Sequence, residues 1–295
     1  MDNATQLESI GDLHWSQEAL VALVGLVRKV HGLNLFPFNA TFLAKTLDKR
    51  ASASMETAAA YGERLAKDFS EAEALLQSLH IGYSEFFRNS LAFALLERLI
   101  LPGLLEAKEK SGRGEIRVWS AGCATGQEAW SLAILLDDLN RTRETSIPYR
   151  IIATDWFAPD LAVARTGLYS EEAVGNVRMS HLRRYFYRRQ GSFFIAHRLM
   201  DRVDFTVYDL LDESTVCPPE SIFGNFDLVF CSNVLIYYRP EMQALILGKV
   251  RRCLASGGYL VTDETEGRIV EGAGGFRRAA LPAAIFVKDG NSSNE

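Results

Sequence analysis

Two glycines and an acid follow a short apolar segment near the middle of the chain. Residues 116–120 have the β-branched and aromatic content of a half-buried strand, and Gly122 and Gly126 come soon after them. Glycine allows a positive φ or a close backbone approach that a side chain would prevent. A helix predicted to begin near Gln127 would point its first N–H groups over the turn. The arrangement predicts a cradle for a nucleotide; the alternative is a turn that only connects two elements.

A second predicted strand, residues 149–155, ends in Asp155. In doubly wound sheets a carboxylate at this point accepts hydrogen bonds from ribose hydroxyls. The alternative role is an N-cap for the helix that begins near Pro159. A further buried strand is predicted at 226–238, with polar side chains towards its carboxyl end: Ser232, Asn233 and Tyr237. Because ligands of open α/β sheets bind outside such strand ends, these residues are predicted to share one site.

The elements between these motifs alternate between strand and helix. Apolar residues at helical spacing predict a helix over 242–254, and strands are predicted at 203–208 and 259–262. Alternating strands and helices form a parallel sheet that is covered on both faces. The sequence therefore predicts an α/β fold.

Three predicted segments flank or interrupt this alternation. A helix over 91–101 is predicted to end at Pro102, and a charged loop over 108–115 precedes the first strand. A helix at 180–186 is followed by a predicted hairpin over 187–199, with its turn at residues 190–192. The hairpin would form a small sheet outside the parallel one.

Four short phrases, in this order and at these spacings, resemble the motifs of one family. They are residues 84–88 (SEFFR), 121–128 (AGCATGQE), 153–155 (ATD) and 233–237 (NVLIY). Residues 81–271 resemble the CheR-type chemoreceptor glutamate O-methyltransferases, which use S-adenosylmethionine and leave S-adenosylhomocysteine. The resemblance implies a Rossmann-like class I methyltransferase sheet, a small N-terminal helical domain and an inserted small antiparallel β-subdomain.

The resemblance also implies which residues act in catalysis and cofactor binding. Arg88 and Tyr237 match positions of the family's active site, where a guanidinium can fix one oxygen of the acceptor carboxylate and a ring face can attract a sulfonium. The alternatives are a surface arginine and a core aromatic. The implied cofactor-binding residues are Ser84, Arg88, Gly122, Glu128, Asp155, Asp209, Leu210, Ser232 and Asn233.

Three of these cofactor-binding assignments have structural alternatives that the sequence leaves open. Ser84 could cap a helix, Glu128 could be a favourable acid in the first turn of a helix, and Asp209 could lie in a solvated turn. Both roles are compatible at Ser84.

The sequence departs from the family pattern at three places. Ser232 stands where the family commonly has arginine, which removes a charge near the cofactor. Residues 263–266 (DETE) replace the common Gly-His-Ser-Glu, and the added acids are expected at the rim of the site, where they would repel an acidic receptor helix. The turn at 190–192 is shorter than the glycine-studded loop with which some members grip a peptide tether at the receptor's carboxyl terminus. We therefore expect independence from a tether.

These departures leave three hypotheses about function. The first is an active methyltransferase that forms glutamate methyl esters on chemoreceptors. The second is a catalytically weak S-adenosylmethionine-binding scaffold of a chemosensory array, suggested by Ser232 and by residues 263–266. The third is a methyltransferase with a different acceptor.

Length and composition indicate two globular domains. The 295 residues, 48% of them hydrophobic, are predicted to form an N-terminal helical domain over 1–79 and a methyltransferase domain over 80–295, with the β-subdomain at about 180–200. The polar residues 291–295 are expected to be disordered. Neither a secretory signal nor a membrane span is expected.

The titratable residues predict a cytoplasmic protein without a metal. Four cysteines without a C-x-x-C pair indicate reduced thiols, and the histidines lack the spacing of metal ligands: His14, His31, His80, His181 and His197. The net charge of −5 argues against nucleic-acid binding. The expected partner is the cytoplasmic domain of a methyl-accepting receptor, bound by a monomer.

Two groups of basic residues are candidates for that contact. The first is predicted to be a solvated face and consists of Arg28, Lys29, Lys45, Lys49 and Arg50. The second is denser and is predicted to be a contact surface, which we call the arginine patch: Arg178, Arg183, Arg184, Arg188, Arg189, Arg198 and Arg202.

Overall fold

The computed structural model describes residues 15–112, 114–221 and 224–289. The predictions for His14 and for residues 291–295 lie outside this part of the chain. The protein forms two compact units. The first runs through Ile81 and also includes Tyr237–Met242, and the second contains Gly82–Ile236 and the residues from Gln243 onwards. Within the described ranges, no helix has the length and apolar character needed to cross a membrane.

From residue 15 onwards, the first unit contains four amphipathic helices around one apolar core. The helices are α1 (Gln17–His31), α2 (Ala40–Ala53), α3 (Ala58–Lys67) and α4 (Phe69–Ser78). Each begins after a polar side chain that accepts a hydrogen bond from a backbone N–H of the first turn: Ser16, Asn39, Thr57 and Asp68. Their apolar faces pack together through side chains such as Val27, Leu47 and Leu65, which are fully buried.

Arg50 was predicted from the sequence to lie on a solvated basic face, and this prediction was wrong. Its Nε donates to Glu71 Oε1 at 2.8 Å, and the Tyr61 hydroxyl donates to the same oxygen at 2.6 Å. Arg64 adds an ion pair to Glu71 at 3.1 Å. These polar groups bridge α2, α3 and α4, so the charge of Arg50 is used inside the helical unit.

The second unit is built on a seven-stranded sheet with helices between its strands. Its first helices and strands are α5 (Ser90–Leu95), a π-helix (Leu96–Ile100), α6 (Leu101–Ser111), β1 (Ile116–Ala121), α7 (Gln127–Arg141), β2 (Tyr149–Asp155), α8 (Ala158–Thr166), β3 (Leu168–Tyr169), α9 (Met179–Tyr185), β4 (Phe186–Arg189), β5 (Ser192–Ile195), α10 (His197–Met200) and β6 (Val203–Val207). The rest are β7 (Phe226–Phe230), α11 (Pro240–Cys253), β8 (Leu254–Val261), α12 (Gly267–Ala273), β9 (Phe276–Ala280) and β10 (Ile285–Lys288), with short 3-10 turns at Pro219–Ser221, Leu235–Tyr237 and Glu264–Glu266.

The order of the strands confirms the predicted α/β fold. The large sheet has the order β6-β2-β1-β7-β8-β10-β9, in which the first five strands are parallel and β10 is antiparallel to both of its neighbours. The three central parallel strands β2, β1 and β7 are buried on both faces, as their apolar sequences require. This is the Rossmann-like sheet that the family resemblance implied.

The small antiparallel sheet is also confirmed, but it extends further than the hairpin predicted from sequence. Strands β4 and β5 pair across a turn at Gln190 and Gly191, and β3 adds a third strand beside β5. The two residues of β3 are too few to show any strand periodicity in the sequence. The predicted hairpin also ends earlier, because His197 begins α10.

The chain does not leave the helix at Pro102, so this prediction was wrong. A π-helix precedes the proline, and the Leu101 N–H donates to the Leu96 carbonyl five residues back. Pro102 then lies in the first turn of α6, directly after the wider π-helical turn. Helix α6 continues through Ser111, so the first four residues of the predicted charged loop at 108–115 are helical.

Candidate active site

Four neighbouring parallel strands bring most of the predicted cofactor-binding residues to one edge of the sheet. In the order β6-β2-β1-β7, the carboxyl ends lie side by side. The predicted residues at or just beyond these ends are Asp209 and Leu210, Asp155, Gly122, and Ser232 with Asn233. They come from segments that are distant in sequence, and the parallel sheet alone brings their strand ends together.

The turn after β1 requires glycine at both predicted positions. Gly122 has φ 77°, and a Cβ there would lie 2.6 Å from Val234 Cγ2. Gly126 has φ 91°, and a Cβ there would lie 2.7 Å from Ala164 Cβ. The Gly122 N–H donates to the Thr154 carbonyl at 2.8 Å, which ties the turn to β2. Larger residues would displace the packed neighbours, so the turn is a built feature of the strand edge.

Asp155 fastens this glycine turn from the end of β2. Its Oδ2 accepts the Ala124 N–H at 2.9 Å, and its Oδ1 accepts the Phe157 N–H at 3.0 Å. The N-cap position of α8 is Phe157, so Asp155 is not the helix cap that the sequence left as an alternative. An ionised carboxylate has further lone pairs on each oxygen, which leaves Asp155 able to accept hydrogen bonds from hydroxyl groups.

Glu128 is an acid in the first turn of α7, a helix whose N-cap Gly126 provides no side-chain hydrogen bond. Ser120 Oγ donates to Glu128 Oε1 at 2.6 Å. Burial and, to a smaller extent, the charge of Glu266 raise the pKa of Glu128, whereas the hydrogen bond from Ser120 and the Arg88 guanidinium lower it; together they raise this pKa to about 8. An acid with this pKa is poised to lose its proton when a cation binds beside it.

Arg88 presents an exposed guanidinium in the same unit. Its Cζ lies 5.2 Å from the centre of the Tyr83 ring. No carboxylate of the described residues lies within ion-pair distance of it. The preceding residue is fixed to α7, because the Phe87 N–H donates to Ser131 Oγ at 3.0 Å. The backbone just before Arg88 is therefore fixed, while its guanidinium contacts the Tyr83 ring and has no acid of the described residues as a partner.

Ser84 does not cap the helix that follows it. The N-cap of α5 is Asn89, whose side chain accepts the Ala92 N–H at 3.0 Å. The capping alternative for Ser84 was therefore wrong, and its role towards the cofactor stays a prediction.

Tyr237 belongs to the first unit, so the two predicted catalytic residues fall in different units. The Tyr237 ring lies 4.8 Å from that of Phe42, and its carbonyl accepts the Asn39 N–H at 2.9 Å. The predicted long strand at 226–238 is shorter in the structure: β7 ends at Phe230, and a 3-10 turn contains Tyr237. The catalytic role of Tyr237 stays a prediction.

The segment after β6 is held by α11. Asp209 is exposed in a turn and accepts the Leu211 N–H at 2.8 Å, and Leu210 is buried. Lys249 Nζ donates to the Asp212 carbonyl.

Four residues along α11 from Lys249, Cys253 forms a disulfide with Cys217. The Cα atoms of the pair are 5.9 Å apart. The expectation of four reduced thiols is therefore wrong for this pair, because the fold brings together two cysteines 36 residues apart. Cys123 and Cys231 are free and buried.

The sequence missed the most heavily hydrogen-bonded acid of the site. Glu266 was expected with the other acids of residues 263–266 near the rim of the site, but its side chain is fully buried and accepts hydrogen bonds from the N–H groups of the turn that follows β7. Asp263 and Glu266 have the spacing of a capping box, and the structure contains that box. This signal could have predicted the local cap, but it says nothing about the contact with residues 30 positions earlier.

The donor and acceptor groups of this edge fit a nucleoside that carries a cation. The glycine turn permits close approach to the backbone, Asp155 retains acceptor capacity for hydroxyls, and Glu128 favours a positive neighbour. Among residues 15–112, 114–221 and 224–289, no group of three histidine, cysteine or acidic side chains is arranged to hold a metal ion.

Sequence comparisons agree with this chemistry. The family model described as "CheR methyltransferase, SAM binding domain" matches residues 83–273. Chemotaxis protein methyltransferase 1 of Pseudomonas aeruginosa is 32% identical over 198 residues, which are 66% of this chain and 69% of that protein. Chemotaxis protein methyltransferase of Escherichia coli is 32% identical over 200 residues, which are 66% of this chain and 64% of that protein.

A long protein of unknown role is also similar. An uncharacterized 104.1 kDa protein of Rhodobacter capsulatus is 30% identical over 251 residues, which are 84% of this chain but only 25% of that protein. The chain thus spans a quarter of this relative and about two thirds of the two methyltransferases. The matched region includes the glycine turn, Asp155 and the turn after β7, and the chain belongs to the CheR methyltransferase family, with S-adenosylmethionine as its cofactor.

Proposed function

We propose that the protein methylates glutamate side chains of chemoreceptors in the cytoplasm and forms methyl esters. The observation that carries the proposal is the guanidinium of Arg88, which is exposed, has no carboxylate partner among the described residues and lies close enough to Glu128 to lower its pKa. A free arginine beside a cofactor site suits an acceptor that brings its own carboxylate. The chemotaxis methyltransferases to which the chain is similar support this choice.

The proposed reaction needs positioning more than proton transfer. S-Adenosylmethionine, when bound, supplies an electrophilic methyl group on a positive sulfur. A glutamate has an ordinary pKa of about 4.3, so the acceptor is ionised at neutral pH and needs no general base. We propose that Arg88 holds one carboxylate oxygen and leaves the other free to attack. Holding reacting atoms in line can supply about 7–11 kcal/mol of a barrier.

The same proposal assigns the strand-edge residues to the cofactor. Asp155 would hold the ribose hydroxyls, and Asp209 with Leu210 would lie along the base. Ser84, Gly122, Ser232 and Asn233 would complete the set, with Glu128 beside a positive group. The support for these roles is their common position at the carboxyl ends of neighbouring strands.

Cofactor binding is expected to release a proton from Glu128. With a pKa of about 8, unligated Glu128 is mostly protonated at pH 7, and a bound cation favours its ionised form. The affinity for S-adenosylhomocysteine, which keeps its ammonium group, should therefore rise as the pH increases from about 7 to about 8 and then level off. Calorimetry in two buffers of different ionisation enthalpy measures the released proton. Glu128→Gln should abolish the release, and the absence of any release from the unmodified protein at pH 7 would contradict the assignment.

We also propose that the enzyme recognises its receptor without a carboxyl-terminal peptide tether. The supporting observation is the tight connection between β4 and β5, in which Gln190 and Gly191 are the only intervening residues and have φ values of 51° and 80°. Such a two-residue turn leaves no room for a loop that could close on a peptide. Removing the receptor's last residues should then leave the methylation rate unchanged.

The arginine patch supports receptor docking through three of its members. Arg183, Arg189 and Arg202 are exposed and make no ion pair with a described acid, although Arg202 lies against the Tyr149 ring. Four others are paired with acids of this chain: Arg178 with Glu97, Arg184 with Asp138, Arg188 with Glu171 and Arg198 with Asp137. The free charge of the patch is therefore smaller than its sequence indicated.

Neutralising Arg183 and Arg189 should weaken receptor binding. Since exposed charges contribute about 0.2–1 kcal/mol each, replacing both by alanine should weaken binding about 2- to 30-fold at low salt and less at high salt. Sedimentation with receptor-containing membranes at several salt concentrations measures this effect. The matched control replaces Arg184 and Arg188, whose charges are already paired, and an equal loss in both double variants would contradict the proposed surface.

Incubation with methyl-labelled cofactor and receptor-containing membranes tests the proposed function. Base-labile label in the receptor supports it. Cofactor binding without transfer would instead favour the scaffold hypothesis. Ser232 motivates this hypothesis because it supplies no charge near the cofactor; its hydroxyl lies 3.5 Å from Asn233 Oδ1. Transfer only to other proteins or to small molecules would favour a different acceptor. Either of these results would contradict methylation of the receptor.

A further inference from the structure

The carboxylate of Glu266 accepts hydrogen bonds from the backbone N–H groups of four consecutive residues. Its Oε2 accepts the Asn233 N–H at 2.8 Å, and its Oε1 accepts those of Val234 at 2.8 Å, Leu235 at 2.7 Å and Ile236 at 3.3 Å. These residues follow β7 and include the first two residues of the 3-10 turn Leu235–Tyr237. We call residues 233–236 the carboxylate-bound turn.

Glu266 is held as an anion by backbone groups rather than by a cation. The Asp263 N–H adds a fifth donor at 3.2 Å, and no arginine or lysine of the described residues makes an ion pair with Glu266. Burial raises the pKa of Glu266, and the hydrogen bonds from the backbone lower it. Because all five neighbours are donors, a proton on the carboxyl would face another hydrogen, so the geometry favours the ionised form.

The carboxylate-bound turn is in contact with the glycine turn of the cofactor site. Asn233 has φ 59°, a left-handed conformation that turns the chain sharply after the strand. The next residue is Val234, and a Cβ on Gly122 would lie only 2.6 Å from the Val234 Cγ2 atom. A shift of the carboxylate-bound turn would therefore move the side chain against which the glycine turn packs.

We infer that Glu266 is a positioning residue for cofactor binding, which acts by fixing the carboxylate-bound turn and, through Val234, the glycine turn. The residue does not have to touch the cofactor. The inference concerns the cofactor site of the family and does not depend on receptor glutamate being the acceptor. The test therefore measures cofactor binding without any acceptor. A negative result would overturn the role of Glu266 and leave the proposed methylation of receptors untouched.

Glu266→Gln is the variant that tests this inference. The amide keeps the size of the side chain but turns one acceptor oxygen into a donor, which opposes the N–H groups of the turn. We expect S-adenosylhomocysteine to bind at least about 10-fold more weakly, as for the loss of a charge-assisted hydrogen bond. Hydrogen exchange in a peptide spanning 231–238 should become faster, and the proton release on binding should decrease because the charge of Glu266 no longer raises the pKa of Glu128.

The matched control is Glu264→Gln, which removes an equal charge two residues earlier from an exposed side chain. This control should leave affinity, exchange and proton release unchanged. Affinity within twofold of the unmodified protein in Glu266→Gln, or unchanged exchange in the turn, would overturn the inference. If that variant does not fold, Val234→Ala tests the inference instead, because it leaves the hydrogen bonds to the Glu266 carboxylate in place. It should weaken S-adenosylhomocysteine binding about threefold through the lost contact between Val234 and the glycine turn. Unchanged affinity would overturn the inference.

Discussion

Replacing Asp155 by alanine is expected to weaken S-adenosylhomocysteine binding by about 100-fold, which corresponds to about 2.7 kcal/mol. Two effects combine. The N–H groups of Ala124 and Phe157 lose their acceptor, so the glycine turn and the start of α8 lose a shared anchor. The ribose hydroxyls lose the carboxylate that we propose as their partner, and each hydrogen bond to a charged group is worth about 1.5–3 kcal/mol.

Calorimetric titration measures this loss, and thermal unfolding shows whether the variant is folded. Asp155→Asn retains one carbonyl oxygen, so its affinity should lie between those of alanine and aspartate. The control is Asp201→Ala, which removes an exposed acid from the loop before β6. A folded Asp155→Ala protein with unchanged affinity would remove Asp155 from the cofactor site.

Replacing Arg88 by alanine should lower turnover about 10- to 100-fold, since a charge-assisted hydrogen bond contributes about 1.5–3 kcal/mol. The guanidinium is exposed and packs only on the Tyr83 ring, so its removal should have little effect on the free energy of unfolding. S-Adenosylhomocysteine affinity should change much less than turnover, because we propose that the main partner of Arg88 is the acceptor carboxylate. Initial rates of labelled methyl transfer and binding by calorimetry separate the two effects.

Two further arginine variants sharpen this experiment. Arg88→Lys keeps the charge but loses the planar fork, so it should restore only part of the rate. Arg98→Ala removes an exposed arginine from the nearby π-helix and should leave the rate unchanged. A fully active Arg88→Ala enzyme would refute the proposed orientation of the acceptor.

Features that depend on neighbouring residues could be predicted from the sequence. Gly122 and Asp155 are at strand ends because apolar runs define the strands, and parallel pairing then places those ends together without any knowledge of the side chains between them. The chemistry of the edge followed from the same reasoning. The two-residue turn between β4 and β5 likewise depends on a glycine and on the short distance between two apolar segments.

Features that depend on distant residues could not be predicted in the same way. Glu266 bonds a turn about 30 residues earlier, and its sequence shows only an acid in an acidic segment. Arg184 forms an ion pair with Asp138, so its positive charge does not contribute to the arginine patch as the sequence had indicated. Pro102 lies inside a helix because a π-helix precedes it, and a proline in a sequence carries no sign of that adjustment.

The attachment of the segment after β6 to α11 has a thermodynamic consequence. Lys249 and Cys253 stand one helical turn apart and hold that segment at Asp212 and Cys217. A segment that is held at two points has little conformational freedom left to lose on binding the adenine that we propose for this place. The entropic cost of ordering the segment then arises during folding, and the affinity for the base is expected to reflect direct contact rather than loop closure.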